Sequence, residues 1–271
     1  LSPADRIRRL LQERGVAWPG PIEHLAAVGS TNEWLKDRAR QGGAEWSTVV
    51  ADAQTAGHGR HGRAWLSRPG DLALSVLLRP SSPNPRRPDQ LLLLPLAAGL
   101  AVAEAAGELG ADAALKWPND VVVPQGRGGS GDYAKLAGVL VEGVAEGERF
   151  AAVVGIGLNL VPPPAALEGV ATFLGAPAGR EVDRDTAATA VLARLAVWYD
   201  AVARGEAGVV VEAFTARALP WWGRPVEVRS GETVLGGIAR GIDSRGALLL
   251  ELEDGTTAAV VSGEVRQVRL R

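Results

Sequence analysis

Lys135-Leu-Ala-Gly-Val-Leu-Val-Glu-Gly143, followed shortly by Phe150-Ala-Ala-Val-Val-Gly-Ile-Gly-Leu-Asn159, decides how this chain is read. Residues 136–143 and 150–155 are short apolar runs punctuated by glycine, the texture of strands in a central sheet. The glycines of Gly155-Ile-Gly-Leu-Asn159 have a plain reading, a strand that needs close packing. Outward from there, residues 46–52 and 72–78 add strands, and residues 113–117 and 121–123 flank a turn at Pro118-Asn119-Asp120. Helices are expected after Ser2-Pro-Ala-Asp5, where serine caps and proline occupies the first turn, from Ser30 or Thr31, over about 91–109, and over 185–203. Residues 81–88, 125–132 and 162–179 read as loops. After Pro220-Trp-Trp-Gly223, short β-like runs alternate with Ser-Gly, Ser-Arg-Gly and Asp254-Gly255 turns, a strong hairpin pattern. A boundary near Leu219 therefore separates residues 1–219, a large domain, from 220–271, a small β domain.

Composition removes several function classes. The formal net charge is −2, without the basic excess of a chain built to hold nucleic acid. There is no cysteine, which excludes disulfides, thiolate nucleophiles and zinc–thiolate sites. Only His24, His58 and His61 offer imidazole, so no resident transition metal is expected, while magnesium held by oxygens and substrate phosphates is compatible. The charged start is no secretory signal. The longest apolar run, residues 91–103, contains Pro95 and falls short of the ~20 residues that span a bilayer. These features describe a soluble cytoplasmic protein with no membrane partner.

Scarce residues mark the chemistry. Lysine occurs only at 36, 116 and 135 against a summed Lys+Arg of 29, and two of the three lie in Lys116-Trp-Pro-Asn-Asp120 and Lys135-Leu-Ala-Gly138. A compact ammonium reaches places a planar guanidinium does not. Of four asparagines, Asn32, Asn119 and Asn159 fall in Ser30-Thr-Asn, Trp-Pro-Asn-Asp120 and Gly155-Ile-Gly-Leu-Asn159. Gly57-His-Gly-Arg-His-Gly62 has the letters of the dinucleotide fingerprint, but Pro69-Gly70 would stop the helix that fingerprint needs. An anion loop is the better functional reading, with glycine N–H groups, Arg60 and Arg63 as donors; its glycines leave few fixed contacts and predict mobility without ligand. Ser30-Thr-Asn-Glu33 also reads as a capping box. Lys135 alone could be a solvated charge.

In order, Ser30-Thr-Asn, Gln54 before Gly57-x-Gly-Arg-x-Gly-Arg63 with Trp65, Lys-Trp-Pro-Asn-Asp, Lys-Leu-Ala-Gly and Gly-Ile-Gly-Leu-Asn resemble the biotin protein ligases. The resemblance runs from about residue 24 to the C-terminus, where Gly241-Ile-Asp243, residues 246–250 and Ser262-Gly-Glu264 look like that family's small domain. It implies an α+β fold: a mixed sheet with helices of the class II aminoacyl-tRNA synthetase type, then an SH3-like barrel. It also implies that Ser30, Thr31, Asn32 and Gln54 hold the ureido end of biotin. The loop with Gly57, His58, Gly59, Arg60 and Arg63 would close over biotin and phosphate, with Trp65 along the valeryl chain. Lys135 would contact the biotin carboxylate and α-phosphate, Lys116 and Asn119 the ATP phosphates and magnesium, Asn159 the adenosine side, and Asp120 the acceptor lysine. Gly138 and Gly157 go with the binding motifs. His58 stands where the family loop usually has arginine, which leaves a backbone contact there.

The implied reaction suits the residues. Joining a carboxylate to ATP brings two anions together, so the site needs cations and N–H donors aimed at the α-phosphate. Arg60, Lys116 and Lys135 supply them, and no protein nucleophile is needed. Asp120 can take a proton from the acceptor amine or orient it. Substrates would be biotin and Mg-ATP, and the partner a biotin carboxyl carrier protein; the resemblance also suggests a homodimer. A lipoate or octanoate ligase is the nearest alternative, disfavoured by the polar cluster at Ser30–Asn32 and Gln54. A DNA-binding repressor needs a winged helix, for which the 29 residues before Ser30 are too few, so no specific DNA binding is expected. The chain lacks the Met-Lys-Met context of a biotin acceptor.

Overall fold

A computed structural model of the chain describes residues 1–80, 89–125, 133–146 and 149–267. The loop expected at 81–88 and most of the glycine-rich segment at 125–132 lie outside the described residues. In chain order the elements are α1 (Pro3–Glu13), β1 (Ile22–Leu25), α2 (Thr31–Arg40), β2 (Thr48–Ala51), β3 (Leu72–Leu78), α3 (Leu94–Glu108), β4 (Ala114–Lys116), β5 (Asp120–Pro124), β6 (Tyr133–Glu146), β7 (Arg149–Leu158), α4 (Gly175–Ala178), α5 (Arg184–Ala203) and α6 (Ala207–Arg217). Five strands follow: β8 (Pro225–Ser230), β9 (Thr233–Ile242), β10 (Leu248–Glu251), β11 (Thr257–Val260) and β12 (Glu264–Gln267).

The first seven strands form one sheet in the order β1-β2-β3-β7-β6-β5-β4. Among the described residues β1 and β2 are its one parallel pair of strands, so the sheet is mixed, as expected. One face is covered by α3, α5 and α1. Helix α3 is apolar on all sides and almost wholly buried, as a helix enclosed between a sheet and its neighbours must be. The opposite face carries a smaller core, where Leu35 and Ala39 of α2 meet Val49, Leu77, Val144, Ala151 and Val153. Helix α2 covers only part of that face, and the uncovered part holds the cavity described below.

Three elements differ from the sequence reading, one being the single turn α4 inside the segment expected to be a loop. The four-residue β1 went unread because so short a run carries little periodicity. Helix α6 contains Val209, Val210 and Val211, which favour strand; it is helical because Val210 and Phe214, one turn apart, are both fully buried, and that burial outweighs a small propensity difference. The last five strands form a separate antiparallel sheet in the order β11-β10-β9-β8-β12. Its Val226, Leu250 and Val265 share one core with Leu115 and Trp117. The Trp117 indole N–H donates to Gly246 O at 3.0 Å, and Leu219 N donates to Leu115 O at 2.8 Å. The small sheet is thereby tied to the turn between β4 and β5.

Candidate active site

The cavity, about 200 Å³, lies where the start of α2, the middles of β6 and β7, the 57–65 loop and the β4–β5 turn converge. Its inner end is polar and closed. Ser30, Thr31 and Asn32 are 5%, 4% and 4% exposed. Ser30 caps α2 through its hydroxyl, which accepts from Glu33 N at 3.5 Å. Glu33 does not complete the capping box; its carboxylate pairs with Lys36 at 2.5 Å instead. Gln54 Oε1 accepts from Thr31 N at 2.9 Å and lies 3.0 Å from the Thr31 hydroxyl. Since Gln54 Oε1 is the acceptor, its amide N–H groups remain to serve a ligand. Behind this layer, the hydroxyl of Ser75 on β3 lies 2.8 Å from Thr31 Oγ1 and 2.7 Å from Asn32 Oδ1.

Glycines make the floor. Gly138 on β6 and Gly157 on β7 are cross-strand partners, and the Trp65 indole lies against both. A Cβ at Gly157 would stand 2.3 Å from Trp65 Cε2, and one at Gly138 3.1 Å from its Cζ3. Two residues earlier on the same face, a Cβ at Gly155 would stand 2.2 Å from Asn32 Oδ1. The close packing that the glycines permit is therefore packing by site residues.

The outer end is cationic. Lys135 Nζ lies 2.6 Å from Asp120 Oδ1 and 5.4 Å from the Trp65 ring centre. Lys116 Nζ lies 3.9 Å from the other oxygen of Asp120 and 5.1 Å from the Tyr133 ring centre. Asn119 is pinned to β6 by its Nδ2, which donates to Val139 O at 2.7 Å. Its Oδ1 accepts from Arg60 at 3.2 Å. Burial holds the Arg60 guanidinium below its ordinary pKa, with Asp120 opposing that shift and Arg63 adding to it.

The expectation that the glycine loop makes few fixed contacts is corrected. The loop closes on itself, with Gly59 N donating to Arg63 O at 2.7 Å and Trp65 N to Gly57 O at 2.9 Å. Its arginines then grip the small sheet. Arg60 donates to Ser262 Oγ at 2.5 Å and to Gly263 O at 3.3 Å, and Arg63 to Glu264 at 2.5 Å. No helix opens after the glycines, only a single turn at Arg60–Gly62. The reading against a dinucleotide fingerprint stands.

Most of the residues singled out in the sequence line the cavity, including His58, Gly59 and Arg63. Gly57 stands just behind, where a Cβ would crowd Gln54 and the Trp65 carbonyl. Asn159 does not line the cavity. Its amide donates to Lys135 O at 3.3 Å and Thr172 O at 2.9 Å, pinning the 170–174 segment beside β6. His58 Nε2 lies 3.7 Å from Glu33 and 3.5 Å from Glu142. These three groups bring ligand atoms within 4.8 Å of one another, but the Lys36 ammonium already pairs with both carboxylates.

Ser75, Lys36, Glu142 and the Ser262–Glu264 strap were not assigned roles from sequence. Ser75 alone left a signal, as the one polar residue of the apolar strand β3. Among the described residues no helix is long and apolar enough to cross a membrane.

Comparison with known proteins places this geometry. Residues 25–159 match the family model described as biotin/lipoate A/B protein ligase family. Residues 222–266 match the biotin protein ligase C-terminal domain. The biotin–[acetyl-CoA-carboxylase] ligase of Mycobacterium tuberculosis is 36% identical over 99% of this chain and 100% of its own length. The bifunctional ligase/repressor BirA of Bacillus subtilis is 32% identical over 84% of this chain and 68% of its own. Among solved structures, a biotin protein ligase from Aquifex aeolicus in complex with biotin and ATP superposes with a TM-score of 0.74 at 32% identity. That superposition covers 92% of this chain and 99% of the other.

Proposed function

Because this chain belongs to the biotin/lipoate A/B protein ligase family, we propose that it is an ATP-dependent biotin–protein ligase. The observation that carries the reading is the division of one cavity into a buried hydrogen-bonding end and a cationic end. Biotin has the matching form: a polar ureido ring at one end and a carboxylate at the other. With the ring among Ser30, Thr31, Asn32 and Gln54, the chain runs along Trp65 and the carboxylate arrives near Lys135.

In the first step a biotin carboxylate oxygen attacks the α-phosphorus of Mg-ATP, and pyrophosphate leaves with the electrons of the broken P–O bond. Negative charge grows on the α-phosphate as that bond changes hands. Arg60, Lys116 and Lys135 meet it from fixed positions, which lowers the barrier more than mobile solvent does. Magnesium would come with ATP and offset its phosphate charge, and Asn119 at the mouth would be the side chain to meet it. Asp120 is paired with both lysines, so incoming phosphates compete with it for them and free its carboxylate. In the second step an amine of a carrier lysine attacks the acyl carbon of biotinyl-5′-AMP, loses its proton, and AMP departs. Asp120, released from Lys135, is the group placed to orient that amine or accept its proton.

The acceptor in this reading is a biotin carboxyl carrier protein, the small sheet is an SH3-like barrel, and the setting is cytoplasmic without specific DNA binding. Residues 1–219 and 220–271 act as catalytic and closing units. Asn159 takes a supporting role rather than the adenosine contact. Biotin-dependent exchange of labelled pyrophosphate into ATP is the test. Exchange with biotin supports the reading, and exchange with lipoate but not biotin replaces it with the lipoate ligase.

A further inference from the structure

Lys36 is the one lysine outside the two lysine motifs, yet it reaches the cavity wall. Its Nζ pairs with Glu142 at 2.8 Å, and its side chain is only 12% exposed. Glu142, on β6, in turn meets Asn32. An asparagine amide offers two N–H donors and two acceptor lone pairs. Both donors of Asn32 are used in the wall, Nδ2 giving one to Leu140 O at 3.3 Å and the other to Glu142 Oε2 at 2.8 Å. On the acceptor side, Ser75 Oγ lies 2.7 Å from Oδ1. What Asn32 has left for the cavity is a single acceptor position.

The amide has no choice of orientation. An ionised carboxylate and a main-chain carbonyl accept only, so both require the NH₂ group to face them. Glu142 stays ionised although half-covered. Burial alone would raise its pKa, but the bonds from Lys36 and Asn32 bring it below the ordinary value. A flipped Asn32 would set its oxygen against two acceptors and lose both bonds, in a wall where unpaired polar groups are costly.

We infer that Glu142, braced by Lys36, is a positioning residue that fixes Asn32 with its acceptor toward the cavity and so selects a ligand offering an N–H at that point. This rests on the biotin reading, whose ureido ring carries two N–H groups. It gives the discrimination a cause: a ligand whose ring presents no N–H, such as a dithiolane, leaves the Asn32 oxygen unpaired. Sites built to pair with a polar group reject analogues that lack it more strongly than apolar pockets reject size changes.

The test uses the full chain, with biotin affinity measured by calorimetry without ATP alongside steady-state kinetics. Glu142→Ala removes the shorter of the two bonds and leaves only the 3.3 Å bond to Leu140 O to orient the amide, and biotin affinity and KM worsen about tenfold. The KM for ATP and the kcat at saturating biotin stay within about twofold, a split that general loss of structure does not produce. Glu142→Gln still accepts from Asn32 and recovers most of the affinity. Should Glu142→Ala not fold, Asn32→Asp sets acceptor against acceptor and loses affinity at least tenfold, and adding Glu142→Gln restores a donor and part of the affinity. Unchanged affinity in Glu142→Ala, a Gln variant as weak as Ala, or no recovery in the double variant overturns the inference while the wild type still binds biotin. A wild type that binds no biotin overturns the functional reading as well.

Discussion

The two ends of the cavity are built on opposite plans. At the inner end, Thr31, Asn32, Gln54 and Ser75 bond to one another and to main chain before any ligand arrives, leaving a small fixed set of donors and acceptors. At the outer end, Lys135, Lys116 and Asp120 are paired with each other, pairs that in the proposed reaction open for phosphate to enter. The inner end recognises by being already satisfied. In the proposed reaction the outer end works because its charges have an exchangeable partner. A saturated network is rigid and selective, whereas displaceable ion pairs keep cations poised without leaving them unpaired.

The largest expected effect tests the outer plan. Lys135→Arg keeps the charge but needs more room, and a Cβ on Gly138 would already stand 3.2 Å from Lys135 Nζ. Adenylation should fall at least ~100-fold, the scale of losing one transition-state donor, with biotin binding nearly intact. Near-wild-type pyrophosphate exchange would show that Lys135 is a solvated charge.

Next comes the loop. Arg60→Gly removes the bonds to Asn119 and Ser262, so the adenylate should still form but escape roughly 30-fold faster, acylating unrelated lysines; two or three lost polar contacts at ~1 kcal/mol each are worth at least that much. Retention of intermediate equal to wild type would separate the strap from closure. At the inner end, Ser75→Ala leaves Asn32 Oδ1 short of a partner, worth ~1 kcal/mol. Biotin affinity should drop about fivefold without change in kcat, and an equal loss in kcat would mean the two ends are not separable.

The smallest effect is in pH. Because the Glu142 pKa is lowered on folding, its stabilising contribution is present above the ordinary carboxylate value of 4.5 and is lost as pH falls through its folded value. The melting-temperature gap between wild type and Glu142→Gln should therefore hold from pH 7 down to about 4.5 and close only as pH falls further. A gap that stays constant would remove Glu142 from the charged network.

The sequence was legible where a scarce residue type marks a place on the cavity wall. Lys116, Lys135, Asn32 and Asn119 stand out in an arginine-rich chain for that reason, and Gly138, Gly155 and Gly157 because an indole and an amide lie where Cβ atoms would be. It was illegible where function depends on what a side chain meets across the fold. Glu142 looks like any polar residue of a half-covered strand. Asn159 sits in a telling motif yet spends its amide on main chain. The docking of Arg60 depends on Ser262 and Gly263, whose proximity is set by the packing of the small sheet against the β4–β5 turn rather than by any local pattern. Helix α6 was hidden by its valines until the burial of Val210 and Phe214 was known.

The strap has a consequence for how the molecule comes into being. Ser262 follows Arg60 by 202 residues, so at ordinary elongation speeds of about 5–20 residues per second the ribosome needs on the order of 10–40 s to deliver the clasp after the loop it holds. Once β7 is made, about halfway through that interval, both lysines and the whole of the first sheet are in hand, and the loop has only its own turn and Asn119 to hold it. A product that ends before Ser262 lacks both partners of Arg60 on the small sheet, so full closure of the loop waits on nearly the whole chain.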